Sequence, residues 1–420
     1  MYLLWFLQSI VLVGMGKSCS PKPSDVLNNT CIESREKIPL YIGGMMAVTV
    51  GWDGSGCLIA AELALEHINN RNDILPEYDL KMYWNDTQCL ASKPLRALYD
   101  QVVVSDKQKI VLLGPACSGG AELVSETSQY WNLITVLYSA LSPSLADRIK
   151  YPYVYRTVPI ASNSFISPML WLIKNYGWRR VGSISQSAPS FAAAQQNFVQ
   201  RASKVNVSVV AEVITDEVKN QVENLKRLDM RIIHLTVRET NARKIFCEGN
   251  KIGLSGPDIV WFLPAWYSEK WWLVKDKTVD CSVEEMAEIV ETSLILGVDV
   301  AVISRRNKTT VAGIVSINTV TYFQTPQEFL DEIKKRLLWP QYRNYTINNY
   351  ISYSYDAVWT IALMLNRSSK LLKERRFGKR LEDFSYTDDD MRNLFFEEMA
   401  TTDFFGTSGG GEGISLPNVY

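Results

Sequence analysis

The segment Leu40–Asn70, which reads LYIGGMMAVTVGWDGSGCLIAAELALEHINN, decides the fold. Its first part, Leu40–Val50, is an apolar run with little polar alternation, as expected for a strand that is covered on both faces. Its last part, Leu58–Asn70, carries apolar residues at helical spacing. These residues are Leu58, Ile59, Leu63, Leu65 and Ile68. The segment therefore predicts a buried strand followed by a helix.

Strand-like and helix-like runs alternate along most of the remaining chain. Further strand-like runs are Leu80–Trp84, Lys109–Gly114, Leu133–Tyr138, Arg180–Ser185, Val207–Ile214, Arg231–Val237 and Asp258–Pro264. Helix-like runs lie between them, and this alternation predicts parallel sheets with helices on both faces. One doubly wound sheet rarely takes so many units, so we expect an α/β protein with two lobes.

The order of the strands predicts how the lobes divide the chain. We expect one sheet to contain Leu40–Val50, Lys109–Gly114 and Leu133–Tyr138, and the other to contain Arg180–Ser185, Arg231–Val237 and Asp258–Pro264. Lobe 1 then comprises residues 38–157 and 266–403, and lobe 2 comprises residues 158–265. A ligand would bind between the lobes, at the carboxyl ends of the strands.

The N-terminal sequence and six sequons predict an exported glycoprotein. Met1–Gly14 is an uncharged apolar run that is too short to span a membrane. It suits the core of a signal peptide over residues 1–18, and a buried strand or helix is the alternative. The sequon asparagines are Asn28, Asn85, Asn206, Asn307, Asn344 and Asn366. No later run reaches the length of a transmembrane helix, so we expect a secreted protein if the chain is complete.

The composition argues against several classes of protein. With 44 Lys and Arg against 45 Asp and Glu, the formal net charge is −1, which gives no electrostatic reason to expect nucleic-acid binding. The two histidines, His67 and His234, lie in no HExxH motif, and the sequence contains no phosphate-binding loop. None of the seven cysteines forms a CxxC pair. We therefore expect no catalytic residues, no cofactor and no metal site.

Eight stretches of the sequence resemble the extracellular region of metabotropic GABA (GABA-B) receptor subunits. They are RNDILPEYDLK (Arg71–Lys81), WNLI (Trp131–Ile134), SPSLADRIKYPYVYRTVP (Ser142–Pro159), NARKIFCE (Asn241–Glu248), VWFLPAWYSEKWW (Val260–Trp272), YDAVW (Tyr355–Trp359), LEDFSY (Leu381–Tyr386) and FFGTSG (Phe404–Gly409). They occur in the family's order and cover about Ile38 to Gly409. The resemblance implies the venus-flytrap fold of class C G-protein-coupled receptors, which is periplasmic-binding-protein-like type I.

The resemblance also implies a function at the extracellular side of the plasma membrane. The domain would bind a small amino acid-like ligand with a carboxylate, GABA included, or it would be the ligand-silent partner of a heterodimer. Another GABA-B receptor subunit would bind through lobe 1, where Tyr99 matches a tyrosine of the family's dimer contact. An exposed helical tyrosine is the alternative for Tyr99. A G protein would couple only through a transmembrane region that this sequence lacks, and a soluble solute-binding protein of the same fold is the other candidate.

The resemblance also predicts the state of five cysteines. The family's pairing implies the disulfides Cys89–Cys117 and Cys247–Cys281, and Cys57, on an apolar helix, is expected to be a buried free thiol.

The C-terminal segment is expected to differ from the family. In the family, the FFGxxG segment leads into a strand that returns to lobe 2. Here it is followed by consecutive glycines, which form strands poorly. We therefore expect a divergent tail over residues 404–420, with the final strands of lobe 2 missing.

Ser118, Trp52 and Trp266 are candidates for the ligand site. Ser118 follows the strand KIVLLGPA and opens a helix, whose N-terminal N–H groups and dipole favour an anion. The matching serine of the family holds the ligand's carboxylate, and simple helix capping is the alternative. Trp52 matches a tryptophan of the family's agonist-binding subunit, and Trp266 matches the second-lobe tryptophan that closes over the ligand. Hydrophobic packing is the alternative for both.

Two further candidates, Arg238 and Tyr350, belong to a set of four departures from the agonist-binding subunit. Leu141 stands where that subunit has a second carboxylate-binding serine, Val158 where it has a histidine, Arg238 where it has a tyrosine, and Tyr350 where it has the glutamate that meets the ligand's amino group. The partner of the ammonium is thus lost and a cation is added. We expect the chain to bind no GABA, or to bind a different acid.

Overall fold

A computed structural model describes residues 36–49, 52–159, 165–268, 270–291, 293–296, 326–374, 378–402, 404 and 406–408. Residues 1–37 and 38–420 pack as two separate units, and the second unit contains every element described below. The expected signal peptide over residues 1–18, together with Asn28 and Asn307, lies outside the described residues.

Five parallel strands form the sheet of the first lobe. They are β1 (Ile38–Met46), β2 (Tyr78–Asp86), β3 (Lys109–Leu113), β4 (Thr135–Leu137) and β5 (Val154–Arg156). Their spatial order is β2-β1-β3-β4-β5. Every residue of β3 and β4 is buried, because these strands are covered on both faces. The three runs that were expected to share this sheet do so.

Five parallel strands also form the sheet of the second lobe. They are β6 (Arg180–Gln186), β7 (Ser208–Ile214), β8 (Ile232–Thr236), β9 (Val260–Pro264) and β10 (Ser293–Leu296). Their spatial order is β10-β9-β8-β6-β7. The expectation of two separate sheets in an α/β protein is confirmed.

The first eight helices occupy connections between the described strands, and the last three follow β10 in the chain. They are α1 (Ser55–Asn69), α2 (Lys93–Tyr99), α3 (Ser118–Ser128), α4 (Ser167–Asn175), α5 (Pro189–Ser203), α6 (Lys219–Arg227), α7 (Glu239–Lys251), α8 (Val283–Glu291), α9 (Pro326–Leu337), α10 (Ile351–Glu374) and α11 (Asp389–Ala400). A π-helical turn over Asp100–Val104 extends α2.

The second lobe extends past residue 265, where the sequence suggested a return to the first lobe. The strand β10 pairs with β9, with Ser293 opposite Trp261. Between these strands, α8 packs on α7, and the disulfide Cys247–Cys281 joins α7 to the segment before α8. The chain therefore stays in the second lobe to at least Leu296.

The basic stretch Ser368–Arg380 (SSKLLKERRFGKR) predicts a solvated surface loop by its charge. Its first residues instead continue α10 as far as Glu374. Ser368 and Leu372 are buried, and their spacing of four residues keeps them on one helical face. Lys370 between them and the basic residues after them obscure this spacing in the sequence.

The helix α10 forms the centre of the first lobe's core. Every residue from Ile351 to Asn366 is buried, and the helix packs against α1. A helix that is buried on all sides belongs inside a domain. A polar side chain on this part of α10 is therefore buried in the core, and it needs hydrogen-bond partners from other parts of the chain.

Asp356 is such a residue, and it anchors the FFGTSG motif. Its carboxylate accepts hydrogen bonds from the backbone N–H groups of Thr407 and Ser408, both at 2.8 Å, and from Thr407 Oγ1 at 3.0 Å. Burial raises the pKa of Asp356, and these donors offset part of that cost. Residues 409–420 lie outside the described residues, so the expected loss of the final lobe 2 strands remains a prediction.

Replacing Asp356 with Ala should destabilise the first lobe by about 2–4 kcal/mol, because it leaves two buried N–H groups without acceptors. Urea denaturation followed by tryptophan fluorescence would measure the change in the free energy of unfolding. Asp389→Ala is the matched control, since Asp389 is exposed and bonds only to Arg392 within α11. Its effect should stay below about 1 kcal/mol. Equal losses in the two variants would contradict the anchoring role of Asp356.

Candidate functional site

Four of the positions singled out in the sequence lie at one edge of the first sheet. Trp52 follows β1, Ser118 follows β3, Leu141 follows β4 and Val158 follows β5. These strands are neighbours in the sheet and run in the same direction, so their carboxyl ends meet at one edge. Open parallel sheets bind ligands at that edge. The structure thus places these positions together.

Ser118 is the first residue of α3, and its hydroxyl is already engaged as an acceptor. Its Oγ accepts from the backbone N–H groups of Leu141 at 3.1 Å and Ser142 at 3.2 Å. No side chain among the described residues caps α3, so the simple capping role is not what Ser118 performs. A serine hydroxyl has two acceptor lone pairs and one proton. With both lone pairs used, Ser118 is left to donate, and this suits an anion.

The disulfide Cys89–Cys117 brings a further loop to the N-terminus of α3. The Cα atoms of the two cysteines are 5.4 Å apart, and those of Cys247 and Cys281 are 5.6 Å apart. Both expected pairs are therefore bonded, and Cys57 is a buried free thiol, as expected. The first disulfide joins the end of β2 to the residue that precedes Ser118.

Arg238 of the second lobe reaches this corner of the first lobe. It stands at the N-cap of α7, and its Nη2 donates to the carbonyl oxygen of Cys89 at 3.2 Å. Its backbone N–H donates to Gln186 Oε1 at 3.2 Å. Arg238 is exposed, and this contact holds its guanidinium against Cys89, which is disulfide-bonded to the residue before Ser118. A cation and the positive end of the α3 dipole are thus both linked to this disulfide.

Trp52 and Tyr350 form an aromatic pair after β1, the strand that lies between β2 and β3 in the sheet. Their ring centroids are 5.5 Å apart in an edge-to-face arrangement. Tyr350 is only 3% exposed, and it also contacts the ring of Tyr353. Burial raises the pKa of the Tyr350 hydroxyl, so it carries no charge at neutral pH. This position therefore offers a neutral aromatic ring and no carboxylate.

Trp266 extends the apolar side of the cleft from the second lobe. Its ring lies edge-to-face with that of Phe165, with centroids 5.5 Å apart. Phe165 belongs to the apolar cluster of the first lobe that also contains Leu141 and Val158, and Trp266 packs against this cluster. The packing alternative for Trp266 thus describes its contacts, and the side chains of Leu141 and Val158 add only hydrocarbon to the cluster.

Four polar residues that no sequence motif marks shape the loop after β4: Glu122, Ser142, Ser144 and Arg156. Glu122 Oε1 accepts from Ser142 Oγ at 2.6 Å and from Ser144 Oγ at 2.5 Å. Arg156 is 6% exposed and donates to the carbonyl oxygen of Ser142 at 3.2 Å. Burial, with a smaller contribution from Arg148, lowers the pKa of Arg156 to about 10, so it stays charged at neutral pH. Only the fold brings these residues together, and no motif marks them.

Tyr99 lies at the end of α2, where 53% of its side chain is exposed. Val103, Leu123 and Tyr130 are also exposed, and they lie on the turn after α2, on α3 and directly after α3. The two helices pack against each other. We call the exposed apolar area formed by these four residues the α2–α3 surface. Exposed apolar patches of this kind mark interaction sites.

The described residues contain one group of three side chains of metal-ligand type: Cys247, Asp280 and Cys281. Its two cysteines are joined to each other in a disulfide, so neither offers a thiolate. Within the described parts of the chain, no helix is both long and apolar enough to cross a membrane.

The fold and this cleft define a ligand-binding domain of a receptor. The family model described as the receptor family ligand binding region matches residues 56–409, and the chain belongs to that family. The chain is similar to gamma-aminobutyric acid type B receptor subunit 1 of Mus musculus, with 32% identity over 401 residues, covering 95% of this chain and 40% of that protein. It is also similar to subunit 2 of Rattus norvegicus, with 31% identity over 383 residues, covering 88% and 38%.

A third relative is gamma-aminobutyric acid type B receptor subunit 1 of Caenorhabditis elegans, with 29% identity over 385 residues, covering 90% of this chain and 40% of that protein. The chain spans about 40% of the length of these relatives. The resemblance found in the sequence is thereby confirmed, and a receptor ligand-binding region is favoured over an unrelated soluble solute-binding protein.

The four sequons inside the described residues differ in accessibility. Asn206 and Asn344 are exposed. Asn85 is half-buried and accepts from Gln101 Nε2 at 2.8 Å. Asn366 is 7% exposed on α10 and accepts from the backbone N–H of Leu75 at 3.1 Å. The expectation of a glycan at Asn366 is therefore at odds with the fold, because its amide is enclosed in the core.

Protein secreted from eukaryotic cells should carry glycans at Asn206 and Asn344 but not at Asn85 or Asn366. Asn206→Gln and Asn344→Gln should each remove the mass of one glycan, whereas Asn366→Gln should lower the melting temperature without changing the glycan mass. Intact-protein mass spectrometry and a thermal melt would measure both effects. Glycopeptides that contain a modified Asn366 would contradict this assignment.

Proposed function

We propose that this chain is the extracellular ligand-sensing region of a GABA-B-type receptor subunit, and that its cleft prefers a small anionic acid to GABA. The observation that carries the proposal is the contact of Arg238 with the carbonyl oxygen of Cys89. Through this contact, the guanidinium would lie near the N-terminus of α3. There the Ser118 hydroxyl can only donate a hydrogen bond, because its oxygen already accepts two. A carboxylate would meet a cation, a hydroxyl donor and a helix dipole in one corner.

The aromatic and apolar residues of the cleft argue against the binding of an ammonium group. Tyr350 is a neutral aromatic residue enclosed by Trp52 and Tyr353. Leu141 and Val158 add only hydrocarbon. Burying an ammonium without a carboxylate costs several kcal/mol. GABA carries both charges, so its carboxylate is favoured by the cleft while its ammonium is opposed.

Calorimetry with GABA, butyrate and succinate would test this selectivity, since all three have four carbons and differ in charge. We expect butyrate to bind more tightly than GABA and than succinate, because the second charge of either molecule would be buried without a partner. Arg238→Ala should weaken the binding of butyrate by about tenfold or more, because a charge-assisted hydrogen bond is lost. Arg179→Ala, which removes an exposed arginine of the same lobe, should leave the affinity unchanged.

Sub-micromolar binding of GABA would contradict the proposed selectivity. Binding of none of the three acids would instead favour the second candidate function, the ligand-silent partner of a heterodimer. That function is supported by the replacement of polar ligand contacts with Leu141 and Val158, both buried in the first lobe.

For either function, we propose that the partner is another GABA-B-type subunit and that it binds the α2–α3 surface. Tyr99 and Tyr130 supply large exposed aromatic side chains there. Tyrosine is enriched at the energetically dominant positions of interfaces. In the complete receptor, coupling to a G protein would require a membrane region outside this chain.

Tyr99→Ala should weaken association with the extracellular region of a GABA-B subunit by about tenfold, because an aromatic anchor is removed from the interface. Sedimentation equilibrium of mixtures of the two purified proteins would give the dissociation constant. Tyr176→Ala is the control, since Tyr176 is also exposed but lies on the second lobe. If both variants associate like the original chain, the α2–α3 surface is not the contact.

A further inference from the structure

A groove with a volume of about 620 Å³ lies between α4 and α5 of the second lobe. None of the residues that line this groove belongs to the candidate ligand site described above. Arg201 Nη2 donates to Ser167 Oγ at 2.8 Å and so joins the two helices within the groove. The remaining residues of its lining are Leu170, Trp171, Lys174, Asn197, Gln200, Lys204 and Val205.

The lining combines one aromatic face with several polar groups and no carboxylate. Trp171 is 63% exposed, and Lys174 and Lys204 are exposed on either side of the groove, on α4 and just after α5. Asn197 Oδ1 is buried without a hydrogen-bond partner among the described residues. An indole face packs against the C–H face of a sugar ring, while amides and ammonium groups bond to its hydroxyls. The groove therefore has the chemistry of a saccharide site.

A sequon lies at the edge of this groove. Val205 belongs to the lining, and the next residue is Asn206, which is exposed. Asn206 has a left-handed backbone conformation with φ of 59°, in the turn that separates α5 from β7. A glycan attached to Asn206 would begin within one residue of the groove wall.

We propose that the groove is the docking site of the N-linked glycan of Asn206, whose core sugars fold back onto Trp171. The inference rests on the proposed glycosylation of Asn206. A volume of about 620 Å³ is within the range of small-ligand sites, and this size suits the first sugars of an N-linked glycan. The docked sugars cover the indole and supply hydroxyl groups to Asn197 and the two lysines.

The test is the rate at which a peptide N-glycosidase releases each glycan from the native glycoprotein. The glycan at Asn344 is the internal control, because it is attached to the other lobe. Docking should slow release at Asn206, and Trp171→Ala should speed it by about fivefold while release at Asn344 stays the same. The double variant Lys174→Glu/Lys204→Glu should also speed release at Asn206. The double variant Lys275→Glu/Lys277→Glu makes the same charge change elsewhere on the lobe and should leave the release rate unchanged.

Hydrogen exchange supplies a second measurement that does not depend on the glycosidase. Peptides that cover α4 and α5 should exchange more slowly in the glycosylated protein than in Asn206→Gln, whereas Asn344→Gln should not affect them. An unmodified Asn206 would overturn the proposal at once, and the cleft function would be unaffected. If Asn206 is glycosylated but Trp171→Ala does not change the rate at which its glycan is released, the glycan extends into solvent. That result would overturn the proposed docking.

Discussion

The parallel direction of the strands in the first sheet is the constraint on which the site depends. Because β1, β3, β4 and β5 all end at one edge, the loops that follow them converge there despite their distance in sequence. The disulfide Cys89–Cys117 then ties the end of β2 to the same edge. This supplies the carbonyl oxygen of Cys89 that receives Arg238 from the second lobe. The parallel arrangement of the first sheet therefore determines where Arg238 of the second lobe contacts the first lobe.

Charge, more than shape, characterises the residues that meet at this edge of the sheet. Near α3, the donors are the helix N-terminus, the Ser118 proton and the Arg238 guanidinium. Near α10, the neutral ring of Tyr350 packs on Trp52. An environment that combines positive groups with apolar walls favours an anion with an uncharged tail. The family membership of the chain and the proposed departure from GABA are thus compatible, because the fold persists while a few side chains change the charge of the site.

Sequence reasoning failed where local composition and packing disagree. A sequon is defined by three residues, so it could not show that Asn366 is enclosed by the core. The basic residues around Leu372 indicated a loop, although its spacing from Ser368 continues the buried face of α10. The limit of the second lobe was placed too early, because β10 joins the second sheet by a hydrogen-bonded pairing with β9 that the sequence does not mark.

The sequence by itself determined eight of the ten described strands, the division into two sheets and the loops that carry Trp52, Ser118 and Arg238. It could do so because periodicity and turn chemistry are local properties of the chain. Only the tertiary structure decided that the Ser118 lone pairs are occupied, that Arg238 meets Cys89, and that Asp356 anchors the FFGTSG motif. Each of these depends on contacts between residues far apart in sequence, and the directions of such hydrogen bonds are set only when the elements pack.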